Sequence, residues 1–510
     1  MKHTLLFLGV VMSGALFAQE PTKAALFPCG TSAEMHLRTI EYLAANGSAK
    51  PNVSDTLWVG LQIHLLAKDD GTSRFAAERL LDAFCGLNAD YAKAGIQFYF
   101  KYDWNLIDST AWWSHDTISY GRDMMFANDV PDATNCYFVS DPAGNCGYNL
   151  PYASVAMAFG CSGKNDHTWA HEMGHQYGLP HPFRGWEGNP YNFNNPTPTE
   201  VYYDYTHFHA SPDSVNAPLD TALVEFLDGS NCTIAADYVC DTDPDYLATR
   251  WQCDAQGNST VKQKDPAGNE FYSDGTLFMS YANDACQNRF SDQQIAIVRD
   301  RLLNVVPQVL APARPELPIT GLPTLLSPLN GQITPNQGSQ LRWSSLPGAS
   351  GYVVQASRFA NYFFIELNEA TRDTTFTFPQ LTPNQTYYWR VKPFNTVDGC
   401  AAFTASGSFK TVLAVSTTEP GGGALRLYPT LLEAGAPLWL EFDEQRAVST
   451  VQLSAFDALG RLIWQQRTDA PQGTLRIDLP EAANTPGVYR LTVQSPTDTR
   501  TFSFVRQNMP

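Results

Sequence analysis

The pattern of apolar and polar positions divides the first part of the chain into short strands and amphipathic helices. Residues 57–66 alternate between apolar and other side chains, as a half-buried strand does, and His64 lies on the less apolar face. Residues 73–91 carry apolar side chains at helical spacing and predict a helix with one buried face. Further strands are predicted at residues 96–102, 136–139 and 155–159. This order of elements predicts a mixed α+β domain.

A polar stretch and one more helix complete this domain. Residues 182–221 are rich in Asn, Pro and Tyr and have weak periodicity, which predicts an extended loop. His207 and His209 within it are interpreted as ordinary loop residues. Ser291 and Gln294 form a Ser-x-x-Gln capping box, which an apolar stripe at helical spacing follows. These features predict the last helix of a domain that we place at residues 53–310.

The second half of the chain has the pattern of all-β domains. A proline-rich linker begins at Ala311, and strand-like runs separated by turn residues follow, which defines a domain at residues 318–413. Three glycines from Gly421 form a second linker, and residues 424–510 predict another β module. We therefore expect a multidomain protein in which an α+β domain precedes two all-β sandwich domains.

Composition places the chain among globular proteins and argues against two classes of partner. Of its 510 residues, 44% are apolar and 16% are charged, which is typical of folded domains rather than disorder. The formal net charge of −18 argues against nucleic acid or an anionic membrane as partner.

The N-terminus has the features of an export signal. Residues 1–18 begin with Lys2 and His3, continue with an apolar run and end in small residues at Ala18. Neither this run nor any later one is long enough to span a bilayer. We expect a mature protein that is secreted, either extracellular or on the cell surface, without a transmembrane segment. Export permits disulfides among the ten cysteines, although the sequence alone does not give their pairing.

One stretch carries the candidate chemistry, His171-Glu-Met-Gly-His-Gln-Tyr-Gly-Leu-Pro-His181. On a helix, His171 and His175 project from one face, and two neutral imidazoles at this spacing can bind one zinc ion. Gly178 can take a left-handed conformation, end the helix and return His181 as a third ligand. Three protein ligands are typical of a catalytic zinc, and Glu172 is placed to act as the general base.

A cysteine upstream of this stretch is a candidate latency switch. Residues 19–52 are interpreted as a propeptide, and Cys29 lies within it in the run Phe27-Pro-Cys29-Gly-Thr31. A thiolate can occupy the open position on zinc and keep the precursor inactive. The alternatives are that Cys29 is a disulfide partner or an idle thiol.

Several motifs in residues 25–306 resemble the pappalysin family of metzincin zinc metallopeptidases. They are the stretch His171–His181, the segment Asp237-Tyr-Val-Cys-Asp-Thr242, and Met279-Ser-Tyr281 followed by Asp-Ala-Cys286. The resemblance implies a zincin-type catalytic domain with a methionine turn at Met279 beneath the metal. The run Cys29-Gly-Thr31 of the predicted propeptide also resembles the family's latency segment, whose cysteine binds zinc. Tyr281 is a candidate donor to the oxyanion that develops during peptide hydrolysis.

The resemblance also implies a second ion and one disulfide. In the family the loop that corresponds to residues 237–245, here called the acidic loop, binds calcium. Hard oxygens are available in it from Asp237, Thr242, Asp243 and Asp245. An acidic, solvated turn is the alternative. A family bridge corresponds to a disulfide between Cys253 and Cys286. Cys232 and Cys240 are the second candidate pair.

Asp284 is the candidate determinant of substrate specificity. It follows Met279 by five residues, and the family's aspartate at the matching place lines the pocket for the residue just after the cut. A carboxylate there favours an arginine guanidinium, and then lysine. The alternative is that Asp284 only caps a turn.

The two β modules resemble domains with known roles. Residues 324–412 are similar to a fibronectin type III sandwich, with Leu381 and Tyr387 spaced as in its tyrosine corner. Residues 424–510 contain four short motifs, Leu427-Tyr-Pro429, Asp457-Ala-Leu-Gly-Arg461, Pro486-Gly-Val-Tyr489 and Phe502-Ser-Phe-Val505. With these motifs the module is similar to the C-terminal sorting domain of the type IX secretion route, which implies the type IX secretion machinery as a partner. A carbohydrate- or protein-binding sandwich is the alternative for this last module.

Together these features predict a secreted, zinc-dependent endopeptidase that acts on proteins or peptides and cleaves before arginine. A non-enzymatic adhesin or binding protein on a zincin scaffold is the main alternative. A metallo-hydrolase that acts on a glycan or an ester is a third.

Overall fold

The computed structural model describes residues 53–150, 154–202, 221–378, 380–412, 425–433, 435–442, 450–469, 473–481, 485–495 and 499–507. The predicted signal and propeptide, including Cys29, lie outside these residues, as do His207 and His209. The chain divides into two units. The first comprises the chain up to Gly321 together with Leu346–Val353 and Pro393–Ala402, and the second comprises the rest.

The first unit contains thirteen of the strands in the described part of the chain. They are β1 (Leu57–Ala67), β2 (Ile96–Phe100), β3 (Asn105–Asp108), β4 (Ser114–His115), β5 (Thr134–Val139), β6 (Asp141–Pro142), β7 (Gly147–Asn149), β8 (Val155–Ala158), β9 (Glu200–Tyr202), β10 (Thr221–Leu223), β11 (Gln263–Lys264), β12 (Glu270–Phe271) and β13 (Leu310–Ala311). Seven of them form one sheet in the order β13-β1-β5-β8-β7, with β2 and β3 also paired to β1.

This sheet is mainly parallel, and its central strands are buried on both faces. β1 pairs in parallel with β2, β3 and β5, and β5 pairs in parallel with β8. β7 is antiparallel to β8 and ends the strand order. His64 is a strand residue of β1, as interpreted, and it is buried and stacked on Tyr137. The prediction of a half-buried strand was wrong, because β1 is buried on both faces.

Five α-helices accompany the sheet in the described part of this unit. They are α1 (Ala77–Tyr91), α2 (Thr110–Trp113), α3 (Ile118–Asn128), α4 (Thr168–Gln176) and α5 (Asp292–Asp300). The first helix begins later than its predicted start because Ser73 has a φ of 61° and Ala76 is extended, so the chain before Ala77 is not helical. The buried face of α1 contains Leu80, Phe84 and Leu87 at the predicted spacing.

The last helix has the predicted capping box. The Ser291 hydroxyl accepts a hydrogen bond from Gln294 N at 3.1 Å, and the Gln294 side chain accepts one from Ser291 N at 3.0 Å. After a π-helical turn at Arg301–Val305, residues 310–311 pair with β1 as strand β13. The start of the predicted linker therefore belongs to the sheet.

The described part of the stretch after His181, residues 182–202 and Thr221, contains features that the predicted extended loop did not include. Phe183 and Trp186 are buried in an apolar cluster with Tyr246 and Tyr281. Farther along, β9 pairs with β10 in an antiparallel ribbon. The sequence pattern does not predict these features, because single buried aromatic side chains hold the segment in place and they form no repeating apolar face.

The second half of the chain forms two pairs of sheets. The first pair contains β14 (Leu325–Ser327), β15 (Gln332–Pro335), β16 (Gln340–Trp343), β17 (Gly351–Ser357), β18 (Leu367–Thr371), β19 (Thr375–Thr377), β20 (Thr386–Phe394) and β21 (Gly407–Val412). The three-stranded sheet has the order β14-β16-β19, and the five-stranded sheet has the order β15-β21-β20-β17-β18. Thr382 N donates a hydrogen bond to the Tyr387 hydroxyl at 3.1 Å, the contact expected of a tyrosine corner.

The C-terminal module has the same division into three and five strands. Its strands are β22 (Arg426–Tyr428), β23 (Leu431–Glu433), β24 (Leu438–Phe442), β25 (Val451–Phe456), β26 (Leu462–Thr468), β27 (Gly473–Ile477), β28 (Gly487–Gln494) and β29 (Thr499–Gln507). Leu440, Leu453, Leu491 and Phe504 lie in its buried core. The expectation of all-β modules after the α+β domain is confirmed. Among the described residues, no helix combines the length and apolar character needed to cross a membrane.

Candidate functional site

The site is built on α4, a helix buried on all sides. Tyr91 of α1 donates a hydrogen bond to Ala170 O at 3.1 Å, and Trp169 packs edge-on against Phe138 of β5. At its C-terminal end, Leu179 N bonds to Gly174 O and Gly178 N bonds to His175 O, both at 2.9 Å. This is a Schellman motif, and the φ of 95° at Gly178 provides the left-handed turn that the sequence predicted.

The turn brings the three predicted histidines together. The Nε2 atoms of His171 and His175 are 3.1 Å apart, those of His175 and His181 are 3.0 Å apart, and those of His171 and His181 are 3.2 Å apart. All three side chains are buried. Within the described residues, these histidines form the one group of at least three His, Cys, Asp or Glu side chains close enough to share a metal ion.

The hydrogen bonds of the Nδ1 atoms determine the tautomer of each of the three imidazoles. His171 Nδ1 is 2.8 Å from Phe278 O, His175 Nδ1 is 2.7 Å from Leu179 O, and His181 Nδ1 is 3.1 Å from Glu187 Oε1. Because these oxygens accept hydrogen bonds, each neutral imidazole carries its proton on Nδ1 and directs the Nε2 lone pair inward. Three lone pairs this close repel one another unless they share a cation, so the donor set fits a zinc ion.

Burial keeps two of these imidazoles neutral. It lowers the pKa of His171 to about 3, with a further contribution from His181. Burial also lowers the pKa of His181 to about 3. Neutral imidazoles are the form that binds a metal ion.

Glu172 lies at the same level of the helix, and a glycine on the adjacent strand makes room for it. Its side chain is buried and packs against Gly147 of β7. A Cβ at Gly147 would lie 2.7 Å from Glu172 Cγ and 2.8 Å from Oε1. Any side chain at this position would therefore displace the carboxylate, a constraint that the sequence pattern did not reveal.

The turn at Met279 lies against α4. Met279 is fully buried, and a Cβ at Gly174 would collide with its sulfur. The Tyr281 ring centroid lies 4.9 Å from that of His181 and 5.9 Å from that of His171. Met279 and Tyr281 therefore both adjoin the histidine group.

Asp284 lines a pocket beside His171 and Tyr281, but it already has partners within the protein. One carboxylate oxygen accepts a hydrogen bond from His167 N at 3.0 Å, immediately before α4. The other oxygen lies 3.2 Å from Arg250 Nη1. Arg250 is a single arginine outside any motif, so the sequence pattern gives no signal for it.

The acidic loop does not gather its predicted ligands into one cluster. Asp237 accepts hydrogen bonds from Val239 N and from the Thr242 hydroxyl. Asp245 instead accepts hydrogen bonds from Ser273 and Ser280, so it supports the turn beside Met279. Asp243 is exposed. Calcium binding by this loop stays a prediction.

A buried acid that the sequence analysis missed adjoins this loop. Glu225 is 2% exposed, and burial raises its pKa, with further contributions from Asp237 and Asp243. Burial likewise raises the pKa of Asp237. Glu225 lies outside the motifs that the resemblance covers, so the sequence pattern gives no signal for it.

Four disulfides occur in the described part of the chain. Cys253–Cys286 is the pair that the resemblance implied, and Cys232–Cys240 is the second candidate pair. Cys146–Cys161 and Cys85–Cys400 are additional, and Cys136 is free and buried. Cys400 lies in the segment assigned to the fibronectin-like domain, yet residues 393–402 belong to the first unit together with Cys85.

Comparison with known proteins gives no family assignment. No protein-family model matches the chain, and neither does any curated protein. Among solved structures, the chain is similar to the FN1–FN3 domains of chicken CNTN1, with 15% identity, a TM-score of 0.17, and coverage of 37% of this chain and 67% of that one. It is also similar to the fibronectin(III)-like modules of Clostridium thermocellum CbhA, with 10% identity, a TM-score of 0.16, and coverage of 37% and 95%. TM-scores this low carry no argument about function.

Proposed function

We propose that the protein is a secreted, zinc-dependent endopeptidase of the metzincin type, resembling the pappalysins. The observation that carries the proposal is the convergence of the His171, His175 and His181 Nε2 atoms to within 3.0–3.2 Å of one another. All three Nδ1 atoms face oxygen acceptors, so the group has the protonation pattern of zinc ligands.

The residues around the triad have the roles that peptide hydrolysis requires. When bound by the three histidines, zinc supplies a Lewis acid that polarises the scissile carbonyl and lowers the pKa of water. Glu172 accepts a proton from the attacking water and passes it to the leaving amine. Tyr281 donates a hydrogen bond to the carbonyl oxygen as negative charge develops on it. Met279 supports the triad from below through its contact at Gly174.

The remaining modules serve export in this proposal. The predicted signal directs the chain out of the cytoplasm, and the C-terminal sandwich engages the type IX secretion machinery. The support is the two-sheet architecture of β22–β29 together with the motifs identified in the sequence. The fibronectin-like sandwich carries no cluster of catalytic side chains that we can identify among its described residues.

The test measures metal content and cleavage on the same preparation of mature protein. We expect about one zinc per chain, as the three-histidine set implies, and cleavage of a mixed peptide library read by mass spectrometry. A zinc chelator should abolish cleavage, and added zinc should restore it. A zinc-loaded protein that binds peptides but cuts none would favour the adhesin interpretation. Cleavage that survives complete zinc removal would contradict the proposal.

A further inference from the structure

Of the three histidines in the triad, His181 is the one outside α4. His171 and His175 lie on the helix, so the backbone of α4 fixes their spacing. His181 follows the turn at Gly178, and its ring needs a separate restraint. Phe183 stacks on it at a centroid distance of 4.4 Å and an angle of 15°. Stacking restricts the plane of the ring but does not choose which nitrogen is protonated.

Glu187 determines which nitrogen of His181 is protonated. Its Oε1 lies 3.1 Å from His181 Nδ1, and its Oε2 accepts a hydrogen bond from Gly185 N at 2.6 Å. The side chain is buried, with 4% of its surface exposed. Both oxygens are therefore held, so the carboxylate is a fixed acceptor rather than a mobile one.

The other two ligands are oriented differently. His171 and His175 direct Nδ1 at the main-chain oxygens of Phe278 and Leu179, which no substitution removes. In the triad, His181 alone has a side chain as its Nδ1 partner among the contacts described. A ligand imidazole that donates its second N–H to a carboxylate is held in one tautomer and binds a metal ion more strongly.

We propose that Glu187 is a positioning residue that holds His181 in the tautomer and orientation required for zinc binding, an inference that rests on the proposed function. Glu187 touches no substrate and acts only through His181. Its removal therefore weakens zinc binding, and activity measured at saturating zinc falls less than activity measured at limiting zinc.

The experiment compares Glu187→Ala and Glu187→Gln with wild type and with Glu200→Gln, an exposed acid on β9 that serves as a control. Zinc affinity is measured by competition with a chelating dye, the metal-free proteins are compared by thermal unfolding, and cobalt(II)-substituted proteins are compared by absorption. Gln has the volume of Glu, so this variant tests the proposal even if the Ala variant fails to fold. The Gln side chain has one oxygen, so it can accept only one of the two hydrogen bonds that Glu187 accepts from His181 Nδ1 and Gly185 N.

We expect zinc to bind about 10–100-fold more weakly to the Glu187 variants, with a changed cobalt spectrum, and Glu200→Gln to match wild type. If the variants lose thermal stability without metal but keep wild-type zinc affinity and an unchanged cobalt spectrum, Glu187 is only a structural residue and this inference is wrong. If wild type itself binds no zinc, both the inference and the proposed function fail. The two failures are therefore distinguishable.

Discussion

Asp284 pairs with Arg250, since Asp284 Oδ2 lies 3.2 Å from Arg250 Nη1. The predicted specificity pocket therefore contains an acid and a base that face each other. We expect an arginine side chain of a substrate to compete with Arg250 for the carboxylate, whose other oxygen accepts a hydrogen bond from His167 N. We therefore expect Arg250 to reduce the preference for arginine that Asp284 alone would give.

Substitutions of Arg250 and of Asp284 should change the preferred substrate residue after the cut in opposite directions. Arg250→Ala frees Asp284 Oδ2 and should raise kcat/KM for arginine peptides about fivefold relative to leucine peptides, since a partly exposed pair contributes about 1 kcal/mol at most. Asp284→Ala leaves an unpaired guanidinium and should shift the preference towards glutamate. The pair is about one-third exposed, so solvent screening keeps these effects modest.

The measurement uses peptides that differ only at the position after the cut, with Asp254→Ala as an exposed-acid control from the same segment. If all peptides slow equally in Asp284→Ala, the carboxylate only secures the start of α4 through His167 N. A wild-type preference for apolar residues would also contradict the assignment of specificity to Asp284.

Calcium should raise the thermal stability of the protein, with Glu225 and Asp237 as the main contributors. Two buried acids beside each other are unfavourable without a cation. Binding to the folded state alone contributes about 2.7 kcal/mol at a ligand concentration one hundred times Kd. Melting temperatures are compared with chelator and with calcium. Glu225→Gln should reduce the calcium response, whereas Asp228→Asn, an exposed acid nearby, should keep it. A wild-type melting temperature that calcium does not change would show that the acidic loop is a solvated turn and would contradict calcium binding.

His64 should make the first unit sensitive to acid. Burial lowers the pKa of His64 to about 4, below the value of about 6.5 expected in the unfolded chain. A histidine with a lowered folded pKa contributes stability above pH 6.5 that is lost as the pH falls towards 4. The loss is about 3 kcal/mol. His64→Phe can keep the stack on Tyr137 without titrating. Urea unfolding between pH 7 and 4.5 should therefore show a steeper loss in wild type, and equal slopes would contradict this.

Cys29→Ala should make the precursor active without processing. The physical reason is that a thiolate on zinc occupies the position needed by water. Peptide cleavage by the unprocessed chain is compared with that of the parent, and anti-tag blotting confirms that the leader is still attached. A mutant precursor as inactive as the parent would show that the leader blocks the cleft by its bulk.

The sequence predicted those parts of the site that depend on local geometry. The spacing of His171 and His175 on a helix, and the glycine turn that returns His181, follow from backbone conformation within eleven residues. The capping box at Ser291 is local in the same way. Each of these features was found as expected.

The parts that sequence analysis missed depend on contacts between distant segments. Gly147 matters only because β7 brings it against Glu172, and Arg250 matters only because a loop brings it to Asp284. Glu187 is close to His181 in sequence, but it lay in a stretch interpreted as an extended loop. The anchoring of that stretch by Phe183 and Trp186 produces no periodic pattern.

The most direct test of the account is the activity of Glu172→Gln on the peptides that wild type cleaves. Gln fits the space that Gly147 leaves and cannot act as a general base. We predict unchanged zinc content and thermal stability, with kcat/KM lowered about 10²–10⁴-fold. Activity within a few-fold of wild type, in a zinc-loaded and folded variant, would contradict the proposed mechanism.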